Sequence, residues 1–401
     1  MKPFDISKIF SGRSFSDCDL LIVSGEHSGD QHAADLIKDL LKSQPSLRIA
    51  SLGGPALKNC VSHFLGDLTP LSVVGFAEVL RHYWTFKSLL EKLLSWIQDN
   101  QPRHILLVDY PGFNLRLAEA LYHKKLSKKG GGCISINYYI APQVWAWKSK
   151  RRFTMSKFLD SLAVILPFEV TSFSDTSLPT TFVGHPFVKK FNQSFPSRLI
   201  WHPDSPIGIL PGSREAPIQR IFPALLRGIR WWRYDKIDSQ KREFIIIYPN
   251  EAILKILKRI LEKFPDLAPS FQYVSDCQKK VSLSAVLTSS GTLSLECALS
   301  GIPGTIVYKT HPITYWIGKK LVKISHLGLA NILLEKVLYP ELIQEETFPE
   351  NISQNLDRSL KIAQSPESWK EQIADLRRVL LGSPSKTASQ WLEDAINYKK
   401  L

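Results

Sequence analysis

The first strong pattern in the chain is an uninterrupted apolar run, Leu20 to Val23. A small polar turn, Gly25 to Asp30, follows it, and apolar positions then recur at helical spacing from Ala33 to Leu41. A short apolar run, a turn and a 3.6-residue period together predict a buried strand leading into a helix. The unit repeats. "RIASLGG", "HILLVDYPG", "CISINYYI", "SLAVILPF" and "TTFVGHP" read as further strands, with helical patterns between several of them, notably "FNLRLAEALYHKKL". Apolar strands that alternate with helices predict a parallel sheet covered on both faces.

The pattern breaks around Lys189 to Pro206, which is polar and proline-bearing. It restarts with "SPIGILPGSREAPIQRIFPALLRGI", "EFIIIYPN", "FQYVSD", "SAVLTSSGTLSLECAL" and "GTIVYK". The expected fold class is therefore α/β, with two doubly wound parallel-sheet domains over 17–192 and 205–347. A helical segment, 348–401, is free to pack back across both. Ligands of open α/β sheets bind outside the carboxyl ends of the strands. Two such domains facing each other make a cleft, and the residues just after each strand carry the candidate chemistry.

In the second series, "LPGSRE" places Gly212, Ser213 and Arg214 after a strand, and "TSSGTLSLE" places Ser289, Ser290, Gly291 and Thr292 after another. Glycine allows close backbone approach, helix N-terminal amides hold anionic oxygens, and arginine adds a bidentate contact to phosphate. Glu296, about one turn into the second helix, can accept two hydrogen bonds from a ribose diol. The plainer readings are a surface arginine, hydroxyls that cap a helix, and a solvated glutamate. The apolar residues around Glu296 count against the last, because an unpaired carboxylate among them is costly.

In the first series, "SGEHSGD" offers Glu26, Ser28 and Asp30. It is not Gly-x-Gly-x-x-Gly, so no dinucleotide fingerprint is present. An acid-rich loop repels phosphate and suits hydroxyls, or Ser28 or Asp30 simply caps the turn. "VDYPGFN" ends its strand in Asp109, which is either a general base toward a hydroxyl or a local turn-former. Asp17-x-Asp19 has the spacing of a metal-binding pair but precedes a strand rather than ending one, so no metal is expected.

Composition narrows the partners. With 44% hydrophobic and 22% charged residues, the 401-residue chain is globular and long enough for two domains. Its net charge of +14 suggests an anionic partner. No zinc finger or RNA-recognition signature is present, which disfavours nucleic acid and leaves anionic lipid headgroups and phosphorylated substrates. Cys18, Cys60, Cys133, Cys277 and Cys297 form no Cys-x-x-Cys pair, as expected of a reducing compartment. No signal-peptide core and no run of 18 apolar residues occurs, so membrane contact should be peripheral. Val79 to Gln98, which includes Tyr83, Trp84, Phe86 and Trp96 with interleaved lysines, reads either as a membrane-surface helix or as an internal helix with its core face. Arg227 to Lys236 carries the same two readings, and Trp145 and Trp147 offer stacking or packing.

Taken in order, "SGEHSGD", "LSVVGFAEVL", "VDYPGFN", "APQVWAWKSKR", "LPFE", "VGHP", "LPGSRE", "SSGTLSLEC", "THPITYWIGKKLVK", "LANILL" and "LIQEE" resemble the lipid-A-disaccharide synthases, from about Asp19 to the C-terminus. The resemblance implies a GT-B fold of two Rossmann-like domains. It implies inverting transfer, without metal or cofactor, from UDP-2,3-diacylglucosamine to 2,3-diacylglucosamine 1-phosphate (lipid X), giving the β-1,6 disaccharide 1-phosphate and UDP. By motif, Gly212, Ser213, Arg214, Ser290, Gly291, Thr292, Glu296, Asn331 and Gln344 line the donor site. Asp109 is the implied base, Glu26 its rival, and Ser28 and Asp30 lie nearby. The expected setting is cytoplasmic, at the inner face of the cytoplasmic membrane, with membrane contact through Tyr83, Trp84, Phe86 and Trp96; a homo-oligomer is left open. The chain departs from the family at Gly112, where an acid is frequent, and residues 1–16 match nothing in it. Two rivals stay open: a UDP-sugar epimerase of related fold, and a non-catalytic membrane-associated UDP-sugar-binding protein.

Overall fold

The computed structural model describes residue 9 and residues 17–72, 83–186, 198–236, 242–275, 280–312, 315–316, 325–362, 366–382 and 384–397. The chain forms two compact units, one of residues 1–186 together with 382–401, the other of 187–381.

The first unit is built on strands β1 (Leu20–Ser24), β2 (Ile49–Gly53), β3 (His63–Asp67), β4 (His104–Val108), β5 (Ser135–Tyr139), β6 (Ser161–Val164) and β7 (Thr180–Phe182). They pair in parallel in the order β3-β2-β1-β4-β5-β6-β7. β1, β2, β4 and β5 are buried at all five positions; in β1 and β4 this gives nearly continuous apolar runs, whereas β5 buries Ser135 and Asn137 along with its apolar residues. One face of the sheet packs on Leu89, Leu93, Leu117 and Leu121. The other packs on Ala33, Ile37 and Leu40, joined by Trp391 and Leu392 of the last helix, Ala388–Asn397. That helix is tied to the first one where Glu393 accepts from Ser43 Oγ and Gln44 Nε2. Asp17 and Asp19 both pair with Arg48.

The second unit contains β8 (Leu199–Trp201), β9 (Ile207–Leu210), β10 (Phe244–Tyr248), β11 (Phe271–Ser275), β12 (Val281–Leu283), β13 (Val286–Thr288), β14 (Gly304–Tyr308) and β15 (Glu341–Ile343). Six of them form a parallel sheet in the order β11-β10-β9-β13-β14-β15, and β8 pairs with β12. Ile218, Phe222, Leu225 and Ile229 of the long helix Glu215–Asp235 pack on this sheet together with Ile352 and Leu356. Cys297 is buried in the unit, and Cys277 lies outside the described residues.

Both large sheets therefore reverse direction of growth once: between β1 and β4 in the first unit, and between β9 and β13 in the second. A crevice opens at such a switch point because the loops after the two strands leave toward opposite faces. Each of the four candidate loops stands at one of these two places.

Candidate active site

At the switch point of the first unit, the loop after β4 is held in an unusual conformation. Asp109 and Tyr110 both adopt left-handed backbone, with φ of 48° and 49°. For two consecutive residues with side chains this costs roughly 1–3 kcal/mol each, so the surroundings must enforce it. The Asp109 amide donates to Tyr139 O at 2.9 Å. Its carbonyl accepts from Tyr138 Oη at 2.6 Å and from Asn114 Nδ2 at 2.7 Å. Asn114 is buried and also reaches Val108 O at 3.2 Å. The Tyr110 ring lies where a Cβ on Gly25 would collide with it, so glycine is required at 25. A Cβ on Gly29 would sit 3.7 Å from that of Asp109. The acid is thus seated against the first turn of the helix His27–Ser43.

The rest of the acidic loop divides by role. Glu26 is the N-cap residue of that helix but makes no capping bond, and Ser28 is exposed in its first turn. Asp30 is different. It is fully buried, and its carboxylate accepts from the amides of Gly54, Ala56 and Leu57 at 2.8, 2.9 and 3.2 Å. It caps the neighbouring short helix Pro55–Lys58. Of the two readings the sequence offered for Asp30, this is the capping one, and a carboxylate committed to three amides in the core is not presented to an acceptor sugar.

Three further groups surround Asp109 that sequence reasoning did not single out. Burial, with Asp109 and Glu26 adding to it and Arg151 opposing, raises Tyr138 well above the ordinary phenol range. Burial and then Glu26 raise Tyr110. Glu169, in the "LPFE" segment, is buried, and burial pushes its carboxyl up to about 7, with the charge of Asp109 adding to the shift. Its oxygens accept from Leu166 N at 3.0 Å, Ile165 N at 3.2 Å and Trp145 Nε1 at 3.4 Å. Trp145 is therefore tied to the end of β6, whereas Trp147 is exposed beside Lys148 and Arg151.

At the switch point of the second unit, two loops meet side by side. Leu210 pairs with Thr288, and the Ser289 amide donates to Leu210 O at 2.9 Å. Gly212 has φ of 110°, and a Cβ there would stand 3.0 Å from Ser289 Oγ. Glycine at 212 lets the two loops approach. Arg214 is the exposed N-cap residue of the helix Glu215–Asp235, with Ser213 exposed before it. Gly291 precedes the helix Thr292–Leu299, and both Gly291 and Thr292 are exposed. Two helix N-termini thus begin next to each other, an arrangement suited to anionic oxygens.

The hydroxyls of "TSSGTLSLE" are not helix caps. Ser290 Oγ donates to Leu327 O at 2.9 Å, Ser294 Oγ to Gly291 O at 2.6 Å, and Thr288 Oγ1 to Ser289 O at 3.0 Å. Glu296 is held by Arg198, whose Nε and Nη2 donate to Oε1 and Oε2 at 2.8 Å each.

Asn331 departs from the expected donor lining. Asn331 is buried; its Nδ2 donates to Tyr339 O and Glu341 Oε1, both at 2.7 Å, and its Oδ1 accepts from Leu338 N and Tyr339 N, both at 2.9 Å. Four internal bonds fill its capacity. Glu341 in turn holds the amides of Leu327 and Gly328 at 2.8 Å. Asn331 therefore shapes the 327–328 loop that receives Ser290. Gln344 pairs with the Thr310 backbone, accepting from its amide at 2.6 Å and donating to its carbonyl at 3.2 Å. Asn331 supports the site from behind, whereas Gln344 is half-buried and keeps one amide hydrogen and one oxygen lone pair beyond these bonds.

The expected membrane helix is largely a core helix. Over Tyr83–Asn100, Leu89, Leu93, Leu94 and Ile97 are buried, and Phe86 and Trp96 pack against them. Of the proposed contacts whose side chains are described, Trp84 alone is widely exposed, at 73%, with Lys87 Nζ 5.5 Å from its ring centroid. The Tyr83 side chain and residues 79–82 lie outside the described residues. No helix among the described residues is long and apolar enough to cross a membrane.

Comparison with known proteins follows the same lines. A family model described as lipid-A-disaccharide synthetase matches residues 20–392. The lipid-A-disaccharide synthase of Nitrosococcus oceani is 34% identical over 92% of this chain and 94% of its own. That of Geobacter metallireducens is 33% identical over 90% and 92%. Among solved structures, S. aureus MnaA with UDP superposes with a TM-score of 0.57 at 12% identity, covering 94% of this chain and 96% of that one. The spinosyn rhamnosyltransferase SpnG gives 0.52 at 11%, covering 94% and 99%. At such identities the likeness is one of fold, and that fold is GT-B.

Proposed function

This chain belongs to the lipid-A-disaccharide synthase family, and from that premise we propose the reaction and the role of each residue. The protein is a glycosyltransferase of lipid A biosynthesis. The donor is UDP-2,3-diacylglucosamine and the acceptor 2,3-diacylglucosamine 1-phosphate. The acceptor 6-hydroxyl attacks C1 with inversion, the C1–O bond to UDP breaks, and the products are the β-1,6 disaccharide 1-phosphate and UDP.

Asp109 is the base that takes the hydroxyl proton. Its rigid left-handed seat at a switch point supports this assignment over Glu26, whose side chain is partly exposed and not fixed by a capping bond. Fixed geometry matters because proton transfer needs the base within hydrogen-bond reach of the reacting hydroxyl. Arg214, Ser213 and the amides of Ser290, Gly291 and Thr292 receive the charge that develops on the departing diphosphate. Glu296 accepts from the ribose hydroxyls. Ser28 lies toward the acceptor. Because both substrates carry acyl chains, the enzyme works at the inner face of the cytoplasmic membrane, drawn there by its positive charge and touching the bilayer with Trp84.

The observation that carries the reading is the meeting of the two glycine-bearing loops at Gly212 and Ser289. Incubation with both acylated sugars tests it. Disaccharide and UDP should form in equal amounts, whereas an epimeric UDP-sugar without disaccharide would overturn the reading in favour of an epimerase, and UDP with free sugar in favour of a hydrolase.

A further inference from the structure

We propose that Arg198 is a positioning residue of the nucleotide site, fixing the Glu296 carboxylate so that the lone pairs it leaves open face a ribose diol. The inference rests on Glu296 being the ribose-binding carboxylate.

Glu296 stands on the second turn of a helix whose Leu295, Cys297, Ala298 and Leu299 are buried. A flexible carboxylate there would have to choose among rotamers before each binding event. Arg198 removes that choice. Its Nε and Nη2 meet the two oxygens at 2.8 Å each, a fork-to-fork contact that sets both the position and the plane of the carboxylate. The backbone that carries this side chain is itself anchored. Arg198 lies 98 residues earlier in the chain, immediately before β8. Its carbonyl accepts from Val281 N at 2.6 Å, where the β8–β12 pair begins.

The stoichiometry of acceptors supports positioning. An ionised carboxylate offers about four lone-pair sites, and the fork takes one on each oxygen. One site per oxygen remains, which matches two hydroxyl donors on adjacent ribose carbons. Phosphate cannot use those sites, since it brings no donor and carries the same charge. Lysine could not perform the same task, because a point charge fixes neither the plane nor both oxygens.

The opposite arrangement, in which Arg198 occupies the place of the ribose and must leave, predicts the reverse sign. Calorimetric binding of UDP and of 2′,3′-dideoxy-UDP to the full chain separates the two. Positioning predicts that Arg198→Gln weakens UDP about tenfold, the loss of one well-made charge-assisted contact, and leaves the dideoxy analogue unchanged. Arg198→Lys should fall between, and KM for the donor should move more than kcat. UDP bound as tightly or more tightly by either variant would overturn the proposal, and so would an equal loss for both nucleotides, which marks a merely structural role. Should Arg198→Gln melt below the assay temperature, Arg198→Lys carries the test. Glu296→Gln checks the underlying reading: if it still discriminates UDP from the dideoxy analogue as the wild type does, Glu296 does not read the ribose and the proposal falls with it.

Discussion

The phenol of Tyr138 donates to the main-chain carbonyl of Asp109 at 2.6 Å, inside the end of β5 and directly behind the proposed base. Tyr138 is fully buried, so the bond costs no exposed surface and cannot be replaced by bulk water. Tyr138→Phe leaves that carbonyl with Asn114 as its side-chain donor. The expected cost is about 1 kcal/mol of stability, together with a lower kcat and an unchanged KM for the donor. Urea unfolding and steady-state kinetics on the same preparation check it. An unchanged kcat would mean that the left-handed turn holds without this bond.

Asp30 should behave as a structural residue. Its three amide donors become orphans in Asp30→Ala, a loss of about 3 kcal/mol or more. The reading requires a reduced urea midpoint, with acceptor KM near the wild-type value at temperatures where the variant is folded. A selective rise in acceptor KM with stability intact would return Asp30 to the acceptor side.

Glu169 and His185 give opposite pH signatures. Burial raises Glu169 to about 7, so its protonated form stabilises the fold most below the unfolded carboxylate range near 4.5, and that stabilisation is lost as pH rises to about 7. Burial, with His32 adding, depresses His185 to about 3, so its contribution is complete above 6.5 and is lost as pH falls below that value. Relative to the wild type, Glu169→Gln should gain stability at pH 8 compared with pH 5. His185→Gln should gain at pH 5 compared with pH 8. Thermal melts at the two pH values decide it, and parallel shifts in both variants would contradict the assignment.

Trp84 and Trp96 separate membrane contact from packing. Trp84→Ser should reduce binding to vesicles containing anionic lipid and leave the melting temperature within a few degrees. Trp96→Ser should lower the melting temperature, because its ring packs on the core. Vesicle binding unaffected by Trp84→Ser would contradict membrane contact through Trp84.

The sequence disclosed the elements whose burial is complete. β1 and β4 are nearly continuous apolar runs, and each candidate loop follows a strand, so the loops were visible before the sheet was. β3 is half-buried at four of its five positions, and β8, β12 and β15 are only three residues long. None leaves a periodic trace. The strand order, which alone puts the loop after β1 beside that after β4, is a long-range property with no local signal. The same limit hid Arg198, distant in sequence from Glu296. Tyr138 read as one more apolar strand residue. Asn331 sits in a motif that marks the site, but motif position cannot tell a residue that touches ligand from one that holds the loop which does.

The most direct test of the account is disaccharide formation by the wild type and Asp109→Ala side by side, with products resolved by mass. The wild type should yield the tetraacyl disaccharide 1-phosphate and UDP in equal amounts. Asp109→Ala should bind UDP normally but turn over roughly 10²–10⁴-fold more slowly, the usual contribution of a positioned base. A wild type that releases UDP without disaccharide, or an Asp109→Ala enzyme that keeps pace with it, would contradict the account.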